Sequence, residues 1–500
     1  MNISKAKEQI RNAVTAYLTK DDLGNYVIPV EKQRPVLLIG PPGIGKTAIM
    51  EQLASELGIG LISYSMTHHT RQSAIGLPFI SRRVYGGEEC DVTEYTMSEI
   101  IASVYDLMEE TGVRQGILFL DEINCVSETL SPLMMQFLQY KVFGGHRLPE
   151  GWIVVTAGNP SEYNDSAREF DIVTLDRLKK IEVEPDFEAW KDYAVGARVH
   201  PAVLSFLQNR KNHFYHVETT VSGKSIVTPR GWEDLSKMLQ LYEQNGISAD
   251  EDLIVQYLQN GKTAREFSVY LDLFNKYKEE YPVDAILEGK IPEGMTERAS
   301  EAGFDEVYTL IGLMLSSVKA DVHEIMEDRR LLESVRLCVQ EYKAAASEDL
   351  APAENMKRMI GRIEAGRVAG LRAHSLTREE SDRMLRTVSI LYDLEELAAE
   401  ASDYEASFEA IRGAYGSLAA AHNERAGLTR GRMDNMFRFA EECWGEDKEI
   451  LMAVTELTAD PDSVAFISSY GCDEYFKHNK SLLIDERDIE IRRKIEELGL

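Results

Sequence analysis

Apolar and polar side chains recur at helical spacing over Ile3–Leu18, which predicts an amphipathic helix closed by the polar turn Asp21–Gly24. Val36-Leu37-Leu38-Ile39 is a short unbroken apolar run, long enough for a buried parallel strand and too short for a helix. It enters a glycine-rich turn, after which Ala48–Leu57 returns to helical periodicity and stops at Gly58. Further strands are predicted at Leu61–Ser65, Ile117–Leu120 and Trp152–Thr156. Strands alternating with helices imply crossover connections and a parallel sheet with helices on both faces. Two inserts break the rhythm: a hairpin around Gly86-Gly87, before a helix starting near Met97, and a smaller one around Gly144-Gly145. From Asp186 the pattern turns helical, interrupted by one more hairpin with its turn at Ser222-Gly223. These patterns predict three regions: an α/β core over 1–185, a small helical bundle over 186–281, and an all-α region over 282–500. Breaks in the last are expected near Pro282, Pro292, Pro352, Gly427–Gly431 and Asp460-Pro461. No fixed-period repeat and no low-complexity tract is evident.

The first glycine-rich turn carries chemistry. Gly40, Pro41, Pro42, Gly43, Ile44, Gly45, Lys46 and Thr47 satisfy GxxxxGK[ST] between a strand and a helix that opens at Ala48. Glycines let successive backbone N–H groups turn inward and cradle phosphates at a helix N-terminus. Lys46 supplies a point charge for the β/γ-phosphates, and the Thr47 hydroxyl can ligate Mg²⁺. Downstream, Ile117–Leu120 ends in Asp121-Glu122. A strand lying beside the phosphate loop would deliver Asp121 to the same Mg²⁺ and leave Glu122 to orient or deprotonate an attacking water. ATP and Mg²⁺ are the ligands these residues call for.

On these motifs the sequence resembles the AAA+ ATPases, and within them the MoxR-like group with its dynein-related module, over about residues 1–280. The resemblance extends to Val154–Pro160, which looks like the strand ending in the sensor-1 residue. It implies that Asn159 bonds the γ-phosphate or the lytic water, although Asn-Pro also opens ordinary turns. Thr174–Leu178 resembles the family's Leu-Asp-Arg-Phe segment, with Leu178 where Phe is usual. The role implied for Arg177 is a finger reaching a neighbouring subunit's nucleotide; Arg168 is a rival, and a salt bridge to Asp176 or Glu182 is the bland alternative. Thr228-Pro229-Arg230-Gly231 looks like sensor 2, an Arg in the first turn of the helical lid. A bare Arg there opposes the helix dipole, so it needs another reason to be present. The resemblance implies a ring, a hexamer, remodelling protein clients as a chaperone or switch, often with a von Willebrand factor A domain partner.

Other candidates carry less. The adjacent His68 and His69 lack carboxylate neighbours at metal-ligand spacing and read as hydrogen-bonding loop residues. The Arg82-Arg83 hairpin could touch substrate in a pore or simply be solvated. Cys125 has no His placed to activate it and reads as a small buried residue. Heptad-like stretches such as Leu331–Tyr342 read as core stripes.

Charge narrows the partners. The 500 residues carry a net charge of −29, of which −9 falls in residues 1–250 and −20 in residues 251–500. Such a chain repels nucleic-acid phosphates on average, so no extended nucleic-acid footprint is expected and protein clients are favoured. A nucleic-acid-directed motor of restriction type, and a nucleotide-gated scaffold that does not hydrolyse, are the rival readings. Five scattered cysteines form no CxxC pair and no Cys/His ligand spacing, which argues against a disulfide framework and against a structural zinc site. The N-terminus lacks an apolar signal core, and no stretch approaches the ~20 apolar residues of a membrane span, so a cytoplasmic protein is expected.

Overall fold

In chain order the strands are β1 (Val36–Ile39), β2 (Gly60–Ser65), β3 (Pro78–Tyr85), β4 (Glu88–Tyr95), β5 (Gly116–Asp121), β6 (Val142–Phe143), β7 (His146–Arg147), β8 (Trp152–Gly158), β9 (Lys179–Glu182), β10 (His216–Thr220) and β11 (Gly223–Val227). They come from a computed structural model that describes residues 1–164, 166–220, 223–345, 351–445 and 448–480. Five strands form one parallel sheet in the order β2-β5-β8-β1-β9, flanked by helices, as the alternating pattern predicts. The apolar runs dictate this: β8 is buried along its whole length and β5 up to Asp121, so neither face of either strand can meet water. The fifth strand, β9, was not legible in the pattern, because Lys-Lys-Ile-Glu offers one buried apolar residue, Ile181, among charges. Charged side chains suit an edge strand, which must not recruit further strands.

By contact the chain divides into two units. The first comprises Met1–Trp190, Thr228–Arg230 and Gly361–Leu385. Its sheet is closed at one end by Trp152, whose indole lies over Gly60 and Gly116; a Cβ on Gly116 would come within 2.6 Å of the ring. The opposite strand, β2, does not present a bare edge throughout. The Leu61 N–H donates to Ala373 O (2.9 Å), and Ser55 Oγ donates to Glu380 (2.9 Å), both partners lying in the Gly361–Leu385 segment. The hairpins β3–β4 and β6–β7 turn where expected, at Gly86-Gly87 and Gly144-Gly145, all four with positive φ.

The second unit comprises Lys191–Val227, Gly231–Ile360 and Arg386–Leu500, of which residues up to 480 are described outside the gaps. Hairpin β10–β11 forms here, while its turn, expected at Ser222-Gly223, falls partly on residues 221–222, outside the described residues. Two helices of 41 residues each, Phe304–Ala344 and Tyr404–Trp444, lie together around a core that includes Val318, Val322, Phe437, Phe439 and Phe466. Leu331, Val335, Cys338 and Tyr342 are buried along the first of them, the core stripe that the heptad-like spacing predicts. The break expected at Gly427–Gly431 does not occur: Tyr404–Trp444 runs through both glycines as one helix. Each internal glycine costs about 1 kcal/mol of helix propensity. Burial of Ala426, Thr429 and Met433 on the same face offsets that cost. The prolines behave as expected, with Pro352 and Pro461 opening helices. No helix among the described residues is long and apolar enough to cross a membrane.

Phe466, fully buried in this second core, is expected to cost about 3–5 kcal/mol when replaced by alanine. Denaturant melts of the full chain followed by helix signal should show that unit's transition shifting to lower denaturant.

Candidate active site

The parallel sheet places the C-terminal ends of β1, β8 and β5 side by side. Ile39 pairs with Gly158, and Leu120 with Thr156, so Gly40, Asn159 and Asp121 emerge at one edge. The phosphate loop follows β1, with Gly43 (φ 76°) and Gly45 (φ 91°) in the left-handed region that only glycine enters without strain. Glycine is also required by space at Gly43, where a Cβ would meet Thr228 at 2.8 Å. The Arg230 N–H donates to Gly43 O (3.2 Å), so the first turn of Pro229–Gln244 rests on the loop and brings Arg230 to it.

Lys46 is 8% exposed, and its ammonium donates to the carbonyls of Gly40 and Pro41 (2.7 Å each) and to Asn159 Oδ1 (2.8 Å). Burial lowers its pKa to about 8; Asp121 and Glu122 act against that fall, and Arg230 adds to it. Thr47 Oγ1 donates to Asp121 Oδ2 at 3.1 Å, so the hydroxyl and carboxylate singled out as Mg²⁺ ligands are adjacent. Both are hard oxygen donors, the chemistry Mg²⁺ prefers.

Glu122 adopts a left-handed backbone (φ 55°, ψ 35°), which is costly for a residue with a side chain and common at functional sites. Its amide donates to Asp121 Oδ1 (2.8 Å), while its Oε2 accepts from Ser65 Oγ (2.8 Å) and Thr67 Oγ1 (3.0 Å). Ser65 and Thr67 are site residues that the motifs did not reveal. Register could have found Ser65, since it ends β2 directly opposite Asp121. A second unforeseen residue is Asn124, whose side chain donates to Asn159 O (2.7 Å) and whose Oδ1 would lie 2.4 Å from a Cβ on Gly158. Gly158 is thus small so that Asn124 can brace Asn159.

Lys46, Thr47, Asp121, Glu122, Asn159 and Arg230 are therefore brought together. The two finger candidates are engaged elsewhere: Arg177 donates to Gln139 Oε1 (2.6 Å), and Arg168 pairs with Glu128 (3.0 Å). Ile172 and Val173, just before Arg177, are 86% and 60% exposed on a turn capped by Asp171. His69 bonds Ser73 (3.2 Å) and meets the Tyr64 ring edge-on, as a loop histidine should. Cys125 is half-buried rather than the buried residue expected; its thiol accepts from Asn164 (3.2 Å), and burial, then Glu122 and Asp121, pushes its pKa up, which disfavours the thiolate. In the hairpin, Arg82 pairs with Asp91 (3.6 Å) and Arg83 with Glu94.

Residues 36–173 match the profile of the family described as ATPase family associated with various cellular activities (AAA). No curated protein matches the chain. Solved structures similar to it include two mutants of Thermotoga maritima RuvB, one with a lysine replaced by arginine and one with a proline replaced by glycine. The lysine mutant has a TM-score of 0.30 and 18% identity, covering 58% of this chain and 77% of that one. The proline mutant has a TM-score of 0.28 and 16% identity, covering 51% of this chain and 69% of that one. The stretch matched by the family profile holds the phosphate loop, both acids, Asn159 and Arg168; Arg177 and Arg230 lie beyond it.

The depressed pKa of Lys46 gives the phosphate loop a pH signature. Below about pH 8 the free site holds a charged ammonium for phosphate; above it the ammonium is lost. Nucleotide affinity should therefore decline as pH rises through that value. A fluorescent-nucleotide titration from about pH 7 to about pH 9.5 checks this, and a flat profile would remove Lys46 from the phosphate contacts.

Proposed function

We propose that the chain hydrolyses ATP at this site, as a ring-forming AAA+ ATPase of MoxR-like type that remodels or switches protein clients. The observation that carries the reading is the Thr47–Asp121 contact at 3.1 Å, with Glu122 next in the chain and Lys46 bonded to Asn159 at 2.8 Å. A hydroxyl, two acids, an ammonium and an amide converge where a phosphate-cradling loop begins a helix.

Thr47 and Asp121 would hold Mg²⁺, which when bound neutralises phosphate charge. The loop amides and Lys46 bind the β/γ-phosphates, and Lys46 exchanges its two carbonyl partners for phosphate oxygens. Glu122, held by Ser65 and Thr67 through one oxygen, uses the carboxylate to orient water and accept its proton. The water oxygen attacks the γ-phosphorus while the bond to the β–γ bridging oxygen breaks, leaving ADP and phosphate. Asn159 bonds the γ-phosphate or that water, and Arg230 offers charge from the same subunit.

Arg177 is the finger in this proposal, acting on the nucleotide of the next subunit. Its exposed apolar neighbours Ile172 and Val173 suit burial against a second copy. A hexamer, a von Willebrand factor A domain partner and a cytoplasmic setting belong to the same reading. The −29 charge supports protein rather than nucleic acid as client.

Glu122→Gln should keep ATP binding and lower steady-state hydrolysis by about 10²–10⁴-fold. Undiminished phosphate release would sink the Glu122 assignment. Arg177→Ala should abolish hydrolysis alone, and mixing it with Glu122→Gln subunits should restore part of it, because each variant supplies what the other lacks. Absence of recovery at every mixing ratio would show that Arg177 does not act across subunits.

A further inference from the structure

His478 lies on helix 473–480 and is 2% exposed, yet its Nε2 is buried without a hydrogen-bond partner. Buried polar atoms are nearly always satisfied, so an orphaned ring nitrogen calls for a reason. Two carboxylates surround it. Glu474 stands one helical turn earlier on the same face, the i, i+4 spacing that aligns two side chains. Glu441 reaches in from helix Tyr404–Trp444, and its Oε2 is 3.6 Å from His478 Nε2. One donor atom from each of the three residues lies within 4.8 Å of the others.

We propose that Glu441, Glu474 and His478 form a binding site for a zinc ion. Zinc bonds to imidazole nitrogen and carboxylate oxygen run at about 2.0–2.2 Å, so ligand atoms of a tetrahedral site stand about 3.4 Å apart. The 3.6 Å between Glu441 and His478 already approaches that edge. One nitrogen and two oxygens suit a borderline cation, and three protein ligands leave a fourth position for water.

A cationic group already bridges the two acids. Lys477 Nζ donates to both Glu441 oxygens (2.8 and 2.6 Å) and stands 3.7 Å from Glu474 Oε2. Arg438 holds Glu474 Oε1 (3.0 Å), which fixes how that carboxylate is turned. The Lys477 side chain is 46% exposed, and exposed ion pairs are weak, so a divalent ion can displace it into solvent. The ammonium marks the cation position but donates to Glu441 and leaves His478 Nε2 without a hydrogen-bond partner, whereas zinc would accept the imidazole lone pair. Bound zinc would pin helix 473–480 to the long helix beside it.

The test is a titration of the full chain with Zn²⁺ against a chromophoric chelator, without nucleotide and with excess Mg²⁺ to mask hard-oxygen sites. One equivalent is expected to bind, and Co²⁺ in its place should give an intense tetrahedral visible spectrum. Glu441→Gln and Glu474→Gln, both at partly exposed side chains, should each weaken binding by at least about tenfold while leaving the melting curve of the metal-free chain unchanged. Lys477→Ala should tighten it, and His478→Gln should abolish the cobalt spectrum. Zinc bound equally by the natural chain and both glutamine variants, or cobalt that keeps a weak octahedral spectrum, would overturn the site.

Discussion

The Lys46 ammonium, almost wholly withdrawn from water, has to find acceptors around it, since an unpaired buried charge costs several kcal/mol. It finds them in the Gly40 and Pro41 carbonyls and in Asn159 Oδ1. Those three acceptors come from two strands that are neighbours only because β1 pairs with β8. Asp121 and Glu122, on the next strand over, then supply the negative field that keeps the ammonium from losing its proton more readily still. Remove the strand order and the lysine has no partners; remove the lysine and the loop has no charge to offer a phosphate.

The two acids differ because their surroundings differ. Asp121 continues a buried strand and faces Thr47, which suits it to the ligand role in the proposed mechanism. Glu122 begins a left-handed turn that lifts its side chain toward the end of β2, where two hydroxyls hold one oxygen. Asn124 closes the arrangement by bracing Asn159, and Gly158 is without a side chain to permit it. Backbone strain at one residue and a missing Cβ at another are both means of aiming side chains whose positions matter to fractions of an ångström.

Charge in this protein is arranged at two scales. Over the whole chain it is acidic, most strongly in residues 251–500. Locally, the phosphate loop gathers its own positive field from amides, Lys46 and Arg230, so an acidic protein can still hold an anion. In the second unit the same surplus of carboxylates meets a buried imidazole at Glu441, Glu474 and His478. Burial is what distinguishes that cluster from the many solvated acids around it.

Much of the module was legible residue by residue. A short apolar run, a glycine-rich turn and a helix are consecutive in the chain, so GPPGIGKT declares its geometry locally, and the strand ending in Asp121-Glu122 does the same. The parallel sheet followed from unbroken apolar strands that need cover on both faces. Tertiary structure decided what depends on partners distant in sequence. Ser65 and Thr67 reach Glu122 across a strand pairing, Asn124 reaches Asn159 from another loop, and Gly361–Leu385 packs with the first unit from far along the chain. It also decided that two glycines leave Tyr404–Trp444 unbroken, because packing outweighs propensity, and that His478 is buried beside two acids. Local motifs encode backbone shape, whereas the bracing of a side chain depends on which distant residues the fold brings beside it.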